Sequence, residues 1–164
     1  MIIKTRWFLL LLLLVSSPGF TADVIKSKSV GMELARDLAS EAVMACRKSG
    51  YSVTAAVVDR DGNLRAVLRD DLASRFTMQI AEEKANAAVM SGTSSGNFRK
   101  NRGDIRPELN HVRGIIMMEG GVLIESSGTR IGAIGVSGAP GGDKDAVCAN
   151  EALKKLDDRL QFAD

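Results

Sequence analysis

The sequence predicts an α/β domain of the α+β type: an antiparallel sheet with helices packed on it. Three observations predict it. Two pairs of β-branched or small apolar stretches are each joined by a short turn-forming segment, the pattern of hairpins, which makes their strands antiparallel. Three other stretches repeat their apolar residues at helical spacing. No internal repeat or linker marks a second domain within the 164 residues, and that length suits one core.

The first 22 residues are expected to be a secretory signal peptide. Lys4 and Arg6 form a positive start, residues 7–15 are apolar over a length too short to span a bilayer, and Ser16, Ser17, Pro18 and Gly19 break the helix. Cleavage is expected after Ala22, with Gly19 as the alternative. Residues 23–164 are then a single exported domain, periplasmic or secreted, with no later stretch long and apolar enough to cross a membrane.

Residues 30–48 are predicted to be a helix. Leu34, Ala35, Leu38, Ala42, Ala45 and Cys46 share one stripe, Glu33, Arg36, Asp37, Glu41, Arg47 and Lys48 lie opposite, and Gly50 ends it. Residues 51–58 and 64–69 are predicted strands around the turn Asp59-Arg60-Asp61-Gly62-Asn63. A second helix is predicted over 73–90, with Phe76, Ile80, Ala87 and Ala88 on one face. Lys84 projects from the middle of that face and admits two readings: a snorkelling lysine whose stem covers apolar surface, or a lysine aimed at a ligand or a carboxylate.

Residues 91–113 are predicted to be a long irregular segment. It carries Arg99, Lys100, Arg102, Arg106, Arg113 and the single histidine, His111, and loops of this length are functional or mobile. Residues 115–118 form a short apolar piece, and 122–125 and 130–137 a second hairpin around Ser126-Ser127-Gly128-Thr129. Gly132 and Gly135 in its last strand suit close approach of another backbone or a ligand. The turn 137–142 opens a final helix over 144–156, with Asp143 as its N-cap.

Composition excludes several function classes. The first 22 residues hold two of the 22 basic residues and none of the 20 acidic ones, so the remainder is neutral, and aromatics make up 4%. Neither favours a nucleic-acid surface. One histidine excludes a histidine metal cluster within one chain, although a lone histidine can ligate a haem iron. The glycine turn before the last helix suits a carboxylate or phosphate, but it has neither the Gly-Lys-Ser/Thr of a P-loop nor a dinucleotide fingerprint. Cys46 and Cys148 could be a disulfide, which an oxidising compartment permits, or two small buried hydrophobes.

Val57-Val58-Asp59-Arg60-Asp61-Gly62-Asn63-Leu64, Arg69, Ala81-Glu82-Glu83-Lys84-Ala85 and Thr93 resemble the GlcG/HbpS family. So do Gly120-Gly121-Val122-Leu123-Ile124, Ile131-Gly132-Ala133-Ile134-Gly135-Val136-Ser137-Gly138 and residues 142–149. The resemblance spans about residues 29–156 and extends to the C-terminal domain of PduO-type cobalamin adenosyltransferases. It implies a profilin-like fold with first and last helices close together, a homo-oligomer, and haem as cofactor. It also implies pairing of Cys46 with Cys148, and a site or interface role for Lys84, Ser137 and Gly138.

The expected function is an exported binder of haem or a related tetrapyrrole, for storage, sensing or degradation. His111 is the expected axial ligand, Arg99, Arg102 and Arg113 the propionate partners, and Lys84 a pocket residue. Residues 23–50 contain no histidine, so ligation falls to His111 or to a non-histidine donor. The alternatives are a protein that binds or processes a small carboxylate through Lys84 and the 138–143 loop, and a non-catalytic oligomeric accessory domain. No strong acid/base pair on a defined scaffold marks a reaction.

Overall fold

A computed structural model describes residues 24–161; the expected signal peptide lies outside them. The elements are α1 (Met32–Lys48), β1 (Thr54–Asp59), β2 (Leu64–Arg69), α2 (Thr77–Ser91), α3 (Ser95–Asn101), α4 (Arg106–Leu109), β3 (Gly121–Ser126), β4 (Thr129–Ser137), α5 (Gly142–Lys155) and α6 (Asp157–Gln161). Every strand pair is antiparallel, in the order β2-β1-β4-β3. The two predicted hairpins meet through β1 and β4, with Ala56 opposite Gly135 and Thr54 opposite Ser137. This is the predicted mixed α/β architecture, a sheet between helices.

Each face of the sheet has its own apolar layer. Leu38 and Val43 of α1 and Ala149 of α5 pack with Val57, Ile134 and Val136 on one face. Ala85 and Ala88 of α2 pack on Val58 and Ala133 of the other. β1 is covered on both faces and is buried at every residue, whereas the edge strand β2 is largely exposed.

The glycines of the second hairpin let α2 lie against the strands. A Cβ on Gly135 would overlap the Ala81 carbonyl oxygen, and one on Gly121 the Lys84 carbonyl oxygen. Strand glycines here serve helix-on-sheet contact, with small Ala81 and Ala85 on the helix side.

Two ties hold α1 in place. A disulfide joins Cys46 of α1 to Cys148 of α5, with S–S 2.06 Å, across a separation of 102 residues. By loop-closure entropy such a link stabilises the fold by about 5 kcal/mol. At the end of α1, Arg47 grips Asp70 bidentately, Nε to Oδ2 at 2.8 Å and Nη2 to Oδ1 at 2.6 Å. Hydrogen bonding from Arg47 holds the Asp70 carboxyl below the usual carboxylate range.

Several predicted boundaries are corrected. The second helix starts at Thr77, not 73, because residues 70–76 turn on themselves: Ala73 N–H donates to the Asp70 carbonyl and Thr77 N–H to that of Ser74. The predicted loop 91–113 holds α3, a 3-10 turn over Gly103–Ile105, and α4. Residues 115–118 form no strand; Ile116 N–H donates to the Glu83 carbonyl of α2 instead. The last long helix begins at Gly142 after Gly141, so Asp143 lies in its first turn and caps nothing with its side chain.

Gly135→Ala is expected to destabilise the fold by about 3 kcal/mol or more. Gly31→Ala, where an added Cβ meets nothing within 4 Å, should change it by less than about 0.5 kcal/mol; urea unfolding of the pair checks this. Because the folded pKa of Asp70 is depressed, its contribution is complete above about pH 4 and lost as pH falls through the folded value. Asp70→Asn should therefore flatten the acid limb of the stability–pH curve, and an unchanged limb would contradict that role.

Candidate functional site

The α2–β4–α5 junction is built around a buried ion pair. Lys84, central on α2, is 1% exposed, and its Nζ donates to Asp145 Oδ2 at 2.7 Å and to the Val136 carbonyl at 3.0 Å. Asp145 Oδ1 accepts the Ala139 N–H at 3.0 Å. Burial pushes the Asp145 carboxyl up, while the Lys84 ammonium and the Ala139 N–H pull it down. Gly120 leaves room for the pair, since a Cβ there would lie 2.9 Å from Lys84 Nζ.

This geometry corrects the snorkelling reading of Lys84: its ammonium turns inward and never reaches water. It also accounts for the glycine turn. The anion that the 137–142 backbone could bind is supplied by the chain itself, as Asp145. Ser137 is 6% exposed in the last position of β4, and Gly138 packs against the Ser52 carbonyl, where a Cβ would sit 2.6 Å from the oxygen. Lys84, Ser137 and Gly138 thus gather at one junction, which holds the scaffold together.

Open surface lies instead around the segment predicted as a loop. Ser94 Oγ accepts the Asn97 N–H and starts α3, and Pro107 sits in the first turn of α4. Phe98 and Leu109 anchor this segment against Ala87 of α2 and Met117. At about 100° per residue, Gly96, Asn97, Arg99, Lys100 and Gly103 fall on one side of the segment, and Phe98, Asn101, Arg102 and Ile105 on the other.

Each side faces a separate cleft. The first, about 410 Å³, is lined by Phe98, Ile105 and Leu109 with Met90, Ser91, Thr93, Asn101 and Arg102. The second, about 420 Å³, is lined by Gly96, Asn97, Arg99, Lys100, Gly103, Arg106 and Glu119. A third, about 340 Å³, is lined by Asp61, Gly62, Asn86, Val89, Met90, Arg113, Gly114 and Ile115. Met90 lines the first and third, which therefore adjoin. One Asn86 oxygen in the third is buried without a hydrogen-bond partner.

The three arginines predicted as one set are divided. Arg102 and Arg113 stand on the two clefts that share Met90, whereas Arg99 lies across α3 in the second. Arg102 is also paired with Asp104, Nε to Oδ1 at 3.1 Å. His111 is exposed beyond α4, its backbone N–H donating to the Glu108 carbonyl, and it lines none of the three clefts. Among the described residues no group of three or more His, Cys, Asp or Glu is placed to hold a metal ion. Sequence reasoning missed Met90, Phe98, Ile105 and Leu109. Ser94 as a cap, Phe98, Ile105 and Leu109 at helical spacing, and Pro107 as a helix start were the available signs.

The first cleft can hold a flat apolar ligand. It offers an aromatic and aliphatic wall, the Met90 thioether as a soft donor and the Arg102 guanidinium for a carboxylate, and the adjoining third cleft adds Arg113.

Comparison with known proteins gives a consistent result. The family model described as "Haem degrading protein HbpS-like" matches residues 30–154. Protein GlcG of Escherichia coli strain K12 is 31% identical over 108 residues, covering 63% of this chain and 81% of that protein. The crystal structure of an HbpS double mutant from Streptomyces reticuli superposes with TM-score 0.77 at 31% identity, over 86% of this chain and 96% of the other. Protein ORFY of Klebsiella pneumoniae superposes with TM-score 0.76 at 23% identity, over 84% of this chain and 97% of the other.

Lys84→Met is expected to cost about 3–5 kcal/mol, because it leaves Asp145 charged and buried without its partner. Lys84→Met with Asp145→Asn should recover at least half of that loss, since the amide oxygen still accepts the Ala139 N–H. Chemical denaturation of both variants measures it; a single variant as stable as the parent would show that the pair carries no structural weight.

Proposed function

The chain belongs to the HbpS-like haem-degrading protein family, and from that premise we propose that it is an exported tetrapyrrole-binding protein whose ligand enters the first cleft. The observation that carries this reading is the donor set around Met90: a thioether between two adjoining clefts, an apolar wall of Phe98, Ile105 and Leu109, and Arg102 and Arg113 on either side. The volume lies within the range of small-molecule sites. Residues of these types fit haem, whose macrocycle is apolar and whose two propionates are anionic.

A bound haem would supply the iron and its redox and oxygen chemistry. The chain's own part is to bind and orient. Phe98, Ile105 and Leu109 exclude water from one side of the ligand. Met90 would hold the iron through its thioether, in place of the exposed His111. Arg113, which has no ion-pair or hydrogen-bond partner among the described residues, is available to a propionate at once. Arg102 must first exchange Asp104 for it.

Two features support the setting. The buried Cys46–Cys148 disulfide suits an oxidising compartment outside the cytoplasm. Leu72 and Phe76 are 87% and 60% exposed at the entry to α2, and apolar surface of this kind suits contact with further copies of the chain.

Residues 23–164 titrated with haem should give a saturable Soret shift. Met90→Ala should weaken binding by about tenfold or more and change the spectrum, Arg113→Gln should weaken it less, and His111→Ala should leave both unchanged. Absence of saturable binding would overturn the haem reading. Loss of the axial signature in His111→Ala alone would return the iron to His111.

A further inference from the structure

The second cleft is not used by this reading, and its chemistry differs from that of the first. We propose that it is a binding site for a small dianion, a phosphomonoester or a dicarboxylate. Arg99 and Lys100 come from α3 and Arg106 from the start of α4, and all three line the same concavity of about 420 Å³.

Their side chains carry uncompensated charge. Among the described residues none of the three side chains has an ion-pair or hydrogen-bond partner. Most other described arginines are engaged: Arg36 and Arg159 with Asp37, Arg47 with Asp70, Arg60 with Asp61, Arg102 with Asp104, and Arg69 and Arg130 with backbone carbonyls. A segment that leaves two arginines and a lysine unpaired around one concavity pays like-charge repulsion until an anion enters.

The charge count sets the class of ligand. Glu119 is the one carboxylate of the lining, half-buried where Gly96 and Gly142 leave it space. Three cations against one carboxylate leave a net charge of +2, which a dianion neutralises and a monoanion does not. Guanidinium forks match phosphate and carboxylate oxygens two at a time. Asn97 adds a neutral donor, and Gly103, where an added Cβ would meet nothing within 4 Å, keeps the wall low, so an oxyanion can approach the backbone there. The concavity is of small-molecule size. Because α3 stands between this cleft and the one lined by Met90, the two sites are independent.

Thermal melting and calorimetry of residues 23–164, at fixed ionic strength, test this with inorganic phosphate and with succinate as probes. At least one probe should raise the melting midpoint saturably, by several degrees. Arg99→Gln with Arg106→Gln should weaken its binding by about tenfold or more. Lys48→Gln with Lys154→Gln, which removes the same net charge elsewhere, should not. The probe that binds more tightly distinguishes a phosphomonoester from a dicarboxylate site. No saturable effect of either probe, or equal weakening in both double variants, would overturn the proposal. Haem binding should be unchanged in Arg99→Gln with Arg106→Gln, so failure here leaves the tetrapyrrole reading standing, and the reverse holds as well.

Discussion

The buried contact between Lys84 and Asp145 organises the rest of the molecule. It joins the middle of α2 to the first turns of α5 across the end of β4, and its three polar links use up the groups that this junction would otherwise leave unsatisfied. Two charges taken out of water need such added hydrogen bonds, because desolvation otherwise outweighs their attraction. The small residues around them follow from the same constraint. Gly120 makes room for the ammonium, and Gly121 and Gly135 let α2 approach closely enough for a lysine to turn inward. The disulfide then pins the other side of α5 to α1, so α5 is fixed to both layers.

With that junction closed, the open concavities lie around the segment after α2. A short run of helical turns sorts its residues by face: Phe98, Ile105 and Leu109 toward one hollow, Arg99, Lys100 and Arg106 toward another. The sorting needs only helical periodicity and one buried anchor, Phe98, held against Ala87 and Met117. One small segment thereby builds an apolar and a cationic environment back to back.

The sheet was legible in the sequence because hairpin chemistry is local. Asp59 accepts the N–H groups of Asp61 and Asn63 within its own turn, and β2 spans the predicted residues. The long helices were legible from their stripes, and family resemblance pointed to the Cys46–Cys148 pairing. The segment 91–113 was not legible as helix, because runs of four to seven residues are too short for periodicity to stand out and are held by tertiary anchors rather than by propensity. The role of Lys84 was half legible. Its place on an apolar face was visible, whereas its partner lies 61 residues along the chain. Grouping the arginines by their shared segment failed for the same reason: neighbours in sequence point to different clefts once the segment coils.

We propose that tetrapyrrole binding belongs to the cleft beside Met90 and not to the junction of Lys84, Ser137 and Gly138. Methyl-resolved NMR of residues 23–164 with paramagnetic iron(III) haem tests this most directly. The account predicts selective broadening of the Met90, Ile105 and Leu109 methyl signals, while those of Met32, Met44 and Val136 stay sharp. Broadening centred on Val136, with Met90 unaffected, would contradict it.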